Sequence, residues 1–186
     1  MKAQSHSIPP RFLPVGNGKY HVNYNIVEDE MEQPEGDPVT VYLYDYVKVD
    51  KLTRDNVINA VIRDKYTQDQ VEAIMNNFID CNEVDEFLRM QNYREYAKAI
   101  ADDATQEQIE TIQAAICYKV TLPLNETMPD GDYNVLAERI SRMKVPYLVD
   151  AVNNLATVYP GWISADDMLV LENDPRVIIE TITLFN

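Results

Sequence analysis

The sequence predicts an α+β protein: an N-terminal β-hairpin with three helices, then a C-terminal ferredoxin-like βαββαβ sandwich. Three observations carry this. Residues 20–26 and 39–49 alternate with the period of a half-buried strand. Residues 53–101 change to the helical period of about 3.6. From residue 114 onward the order of patterns is strand, helix, strand, strand, helix, strand.

Residues 1–18 hold Pro9, Pro10, Pro14, Gly16 and Gly18 with no sustained periodicity, and read as an extended arm that either frays or docks. In "KYHVNYNIVEDE", Tyr20, Val22, Tyr24 and Ile26 alternate with His21, Asn23 and Asn25, a strand pattern. An acidic loop with Pro34, Gly36 and Pro38 leads into "VTVYLYDYVKV" at 39–49. There Val39, Val41 and Leu43 fall on one side and Tyr42, Tyr44 and Tyr46 on the other.

Thr53 can cap a first helix whose Val57, Ile58, Val61 and Ile62 share a side. Thr67 and Gln70 form the Ser/Thr-x-x-Glu/Gln capping pair of a second, with Val71, Ile74, Met75 and Phe78 at helical spacing. A third puts Val84, Phe87, Leu88, Ala97 and Ile100 inward. Thr105 and Gln108 repeat the capping pair ahead of Ile109, Ile112 and Ile116, in a separate or a linker helix. Beyond it, "ICYKVTLPL" is a strand, and "DYNVLAERISRM" a helix with Val135, Leu136, Ile140 and Met143 inward. "PYLVDAV" and "LATVYP" flank a turn at Asn153 and Asn154, Ser164 caps a short helix, and "RVIIETITLF" closes the sheet. The boundary is placed at 101–105, giving an arm at 1–18, a hairpin-plus-helices domain at 19–103 and an α+β domain at 104–186.

A net charge of −15 and a pI near 4.4 argue against a broad nucleic-acid surface, which needs Lys and Arg to displace counterions. The same acidity keeps copies apart in solution. No apolar run approaches the roughly 20 residues that cross a bilayer, and the first residues do not resemble a secretory leader. Synthesis and initial retention in the cytosol are expected, with Cys81 and Cys117 reduced and structural.

No pattern selects a catalytic set, a metal or a cofactor. His6 and His21 stand apart from any Cys or His partner. "DGDYN" begins like a calcium loop, but Val135 and Ser141 occupy the positions that need Gly and Glu, so Gly131 reads as a turn and Asp132 as a helix cap. "GNG" at 16–18 has neither Lys nor a preceding strand and reads as a turn. Glu28, Asp29, Glu30, Glu32 and Glu35 read as a solvated loop tip able to meet a basic partner. "NET" at 125–127 matches a glycosylation acceptor, without consequence in a chain that is not exported.

Tyrosine is the compositional signal: 12, against four Phe and one Trp. Rings with a polar tip suit half-exposed faces and interfaces. For Tyr42, Tyr44 and Tyr46 three readings stand: a layer on which the helices pack, an inter-subunit contact, or a base- or sugar-stacking surface, the last disfavoured by acidity. They are the candidate partner interface.

Four motifs together resemble a module of structural proteins of bacteriophages and prophages of gut bacteria, often tail-fibre-associated. They are Y-D-Y-V at 44–47, I-R-D-K-Y at 62–66, A-I-x-N-N-aromatic at 73–78 and M-Q-x-aromatic-R-x-x-A-K-x-I-A at 90–101. The resemblance spans residues 20–103 and brings no active-site residues. It implies a non-enzymatic virion or assembly protein, made in the host cytoplasm and placed in the virion, whose partners are other virion proteins and further copies of itself. No direct nucleic-acid or membrane contact is expected. The alternatives are a cytosolic acidic adaptor or inhibitor of a basic protein, and an enzyme or ligand sensor built on the ferredoxin-like half.

Overall fold

The computed structural model describes residues 1–34, 36–80, 83–123, 127–128, 131–132, 148–150 and 153–185. The molecule is α+β, with helices and two antiparallel four-stranded sheets. The first sheet comprises β1 (Lys2–Ser5), β2 (Phe12–Gly16), β3 (Lys19–Met31) and β4 (Val39–Val49), in the order β1-β4-β3-β2. The extended arm therefore docks, as two strands on opposite edges of the long β3–β4 hairpin. Asn17 and Gly18, at φ 52° and 73°, make the tight link from β2 to β3 that two-residue hairpin turns require.

Four helices follow: α1 (Arg54–Lys65), α2 (Gln68–Ile79), α3 (Val84–Ala101) and α4 (Gln106–Gln113). The Thr53 side chain accepts from the Asn56 N–H, and Thr67 and Thr105 each close a full capping box with the glutamine three residues on. Val57 and Val61 of α1, Tyr93, Tyr96 and Ile100 of α3, and Ile109 of α4 meet Val22, Tyr24, Val47 and Val49 of the sheet in one core. Ile116, expected on the inner side of the fourth helix, instead opens the next strand and is 41% exposed; α4 ends at Gln113.

The second sheet is β5 (Ile116–Pro123), β8 (Leu148–Asp150), β9 (Leu155–Val158) and β10 (Ile178–Thr183), ordered β10-β5-β9-β8 with antiparallel neighbours throughout. Between them, β6 (Thr127–Met128) and β7 (Gly131–Asp132) pair as a short ribbon, so Gly131 and Asp132 belong to a strand rather than a turn and cap. The helix expected over 132–143 lies outside the described residues beyond Asp132. Asn154, at φ 52°, makes the β8–β9 turn, and Ser164 caps α5 (Ala165–Glu172) by accepting from the Asp167 N–H.

One face of this sheet, through Val120, Leu122 and Val158, packs with Ile163 and Leu171 of the α5 region. The other, through Cys117 and Ile182, meets Val84 and Leu88 of α3. Near the C-terminus Phe185 reaches the first core, its ring centroid 4.8 Å from that of Tyr96. Packing thus crosses the boundary expected near residue 104 by three routes: α4, the α3 contact and Phe185.

Candidate functional site

Cross-strand partners in an antiparallel ladder point to the same face, so register decides which side of β4 the helices cover. Val47 pairs with Val22, and Val49 with Tyr20, and these line the helical core. Tyr46 pairs with Asn23, Tyr44 with Ala3, and Tyr42 with both Glu28 and Ser5, on the opposite face. The helices therefore do not pack on Tyr42, Tyr44 and Tyr46. All three rings are half-buried. Tyr46 lies against His21 with centroids 4.7 Å apart, and the buried Asn23 on that face donates from Nδ2 to the Pro10 carbonyl at 2.7 Å. The Pro10 carbonyl, in the link that joins β1 to β2, thus meets the sheet on the tyrosine side.

The tyrosines that face inward are others. Tyr24 donates to Asp64 Oδ2 at 2.6 Å, and Tyr96 donates to Asn25 Oδ1 at 2.6 Å, while Asn25 Nδ2 donates to Asp45 Oδ2 at 3.0 Å. Burial pushes the hydroxyls of Tyr24, Tyr93 and Tyr96 well above the ordinary tyrosine range, and the hydrogen bond to the Asp64 carboxylate adds to this at Tyr24. Asn25 holds φ 50° at a register shift between Tyr24 and Val27, a bulge that bends β3. Spacing offered one clue to this set: Tyr93, Tyr96, Ala97 and Ile100 recur at three, four and seven residues.

The bulge marks a change in the hairpin. Before it, β2 flanks β3, and β1 flanks β4 from Tyr42 to Asp45 across the level of the bulge; beyond it, β3 from Val27 to Met31 pairs only with β4 among the described residues. Here the helix-side face carries Val27 at 59% exposure, Leu43 at 40% and Met31 at 38%. Glu28 and Glu30 occupy the other face and Asp29 lies among the apolar residues, with Glu32 following. Beside the bulge a cavity of about 540 Å³ is bounded by β3 from Asn23 to Glu28, by Tyr96, by Ile109 and Glu110 of α4, and by Phe185. Arg11 stands at its wall, donating to the Ala104 carbonyl at 2.6 Å and lying 3.4 Å from Asp103.

A second cleft of about 430 Å³ lies where α3 meets the second sheet, lined by Glu83, Asp85, Arg89, Lys119 and Tyr159 among others. Lys119 pairs with Glu180 at 3.4 Å. Cys117 is fully buried nearby and its thiol is pushed up to about 11, chiefly by burial and secondarily by Asp85, so it stays protonated and weakly nucleophilic at neutral pH. Lys65 sits 4.6 Å from the Tyr93 ring centroid and 5.3 Å from that of Phe185, and burial lowers its ammonium pKa. Among the described residues, no three His, Cys, Asp or Glu side chains converge as metal ligands. No described helix is long and apolar enough to cross a membrane.

No family model matches the chain, and neither a curated protein nor a solved structure matches it.

Proposed function

We propose that this chain is a non-enzymatic structural or assembly protein of a phage virion that works through protein–protein contacts. The observation that carries the contact role is the far end of the β3–β4 hairpin, which leaves Val27, Met31 and Leu43 in solvent. Apolar side chains gathered on one exposed face mark interaction surfaces more often than scattered ones do. The half-sheltered Tyr42, Tyr44 and Tyr46 supply a second contact face on the opposite side. The phage assignment rests on the sequence resemblance over residues 20–103. In a symmetric particle, repeated copies raise the effective concentration of each weak contact, so modest surfaces suffice.

The C-terminal unit is read as ferredoxin-like. Its sheet order, β10-β5-β9-β8, supports this, because numbering those strands in chain order gives 4-1-3-2 with α5 crossing between the third and fourth. The first crossover of that arrangement falls on residues outside those described. The net charge of −15 favours a second reading, an acidic adaptor of a basic protein, which predicts a one-to-one complex that weakens steeply with salt.

Quantitative mass spectrometry of purified particles tests the first reading. Many copies per particle are expected. Recovery of the chain only from host lysate, in a salt-sensitive complex, overturns it in favour of the second.

A further inference from the structure

The outer edge of β3 differs along its length. From Lys19 to Val22 it is covered by β2, and the Asn23 N–H donates to the Arg11 carbonyl. Past the bulge no described strand pairs with that edge, so Val27 to Met31 offer backbone groups to a further strand. Val27 and Met31 flank Asp29 on one face there, and Glu28 and Glu30 occupy the other. The cavity of about 540 Å³ adjoins the same edge, with the apolar Ile109 and Phe185 and the acidic Glu28 and Glu110 in its lining. Among the described residues lining it, the one cation, Arg11, is held by Asp103 and the Ala104 carbonyl.

Resting on the reading of this chain as a contact protein, we infer that the β3 edge beyond the bulge receives an extended, basic segment of another protein by strand addition, its alternating cations lying along Glu28 and Glu30 and one further lysine or arginine, at the level of the bulge, entering the cavity beside Glu110. Strand addition supplies affinity through main-chain hydrogen bonds and specificity through alternate side chains. A segment alternating basic and apolar residues places its cations along Glu28 and Glu30 and its apolar residues along Val27 and Met31. The cavity suits a long cationic side chain, whose methylene stem lies on apolar walls while its head meets carboxylates. A second copy of this chain is the wrong occupant. Antiparallel pairing of two such edges sets Glu28, Asp29 and Glu30 against their counterparts, and like charges directly opposed across strands destabilise.

The test uses the full chain and three dye-labelled peptides in an anisotropy titration. One alternates lysine and valine, one has the same composition in two blocks, and one alternates but carries methylated amide nitrogens at every second residue. Hydrogen exchange then locates the bound peptide. The alternating peptide is expected to bind at least about tenfold more tightly than either control and to slow exchange in residues 26–31, and the double variant E28K/E110K, both sites exposed, is expected to weaken it by a similar factor. Equal binding of the block or methylated peptide, protection located elsewhere, or indifference to the double variant overturns the inference. These outcomes are separable from the virion reading: the titration needs no particle, and absence from particles leaves its result unchanged.

Discussion

Replacing Tyr96 probes the junction on which the hairpin geometry depends. Its ring is fully buried, and its hydroxyl donates at 2.6 Å to Asn25, the residue that holds φ 50° at the β3 bulge. Y96F keeps the ring but leaves the Asn25 oxygen one donor short. A polar group stripped of its partner costs about 1–3 kcal/mol when buried, and the lower end of that range is expected at the half-buried Asn25, still a noticeable share of the roughly 5–15 kcal/mol that holds a domain folded. Y96A also removes a ring packed against Tyr24, Tyr93 and Phe185, at centroid distances of 6.3, 5.4 and 4.8 Å. Its expected cost is about 3–5 kcal/mol. Urea unfolding followed by circular dichroism reads both through the midpoint. Pairing Y96F with N25G, a change that relieves the positive φ while removing the amide, gives a double-mutant cycle. Coupling of about 1–2 kcal/mol is expected if the two groups act as one unit. Costs that add within about 0.3 kcal/mol would refute the role given to this bond.

Other sites give measurable outcomes of their own. Cys117, fully buried with its thiol pushed up to about 11, should resist a maleimide in the native protein and react on unfolding; rapid native labelling contradicts its placement. The buried hydroxyls of Tyr24, Tyr93, Tyr96 and Tyr159 have folded-state pKa values raised chiefly by burial. Above about pH 10 the unfolded chain releases those protons while the folded one retains them, so each group removes about 1.4 kcal/mol of stability per pH unit there and nothing below. A urea midpoint unchanged between about pH 9 and pH 11 is the contrary result. The exposed Arg54–Asp102 pair, with Nε to Oδ1 at 2.6 Å, should matter little: R54A is expected to leave the urea midpoint nearly unchanged, and more nearly so in high salt, whereas a large drop contradicts this.

What could be read from the sequence was local. Thr53, Thr67, Thr105 and Ser164 mark helix starts because a cap needs only the next three residues, and each accepts the hydrogen bond expected of it. Strand alternation was likewise visible, and it separated the valine and tyrosine sides of β4. Which side the helices choose was not, because that depends on contacts between Val47 or Val49 and helices with their own separate amphipathic faces. Nor was the bulge visible. Alternation read through Ile26 ignores the register shift at Asn25, where one asparagine bonded to Tyr96, 71 residues away, resets the faces of the strand. The arm shows the same limit. Its prolines and glycines signal extension, whereas its edges are fixed by pairing Ala3 with Tyr44 and Phe12 with Val22. Ile116 was placed inward by helical spacing, but the helix had ended, and in a strand the same residue turns outward.

Along β4, Val47 and Val49 serve folding, whereas contact falls to the tyrosine side and to the exposed far end of the hairpin. Y44S tests it most directly, read by urea unfolding and by incorporation into particles. The half-buried Tyr44 pairs with Ala3 on the face away from the helices. A folded protein is expected, destabilised by only about 1–2 kcal/mol, that fails to enter particles. A variant that cannot fold, or one that folds and assembles as the parent does, contradicts it.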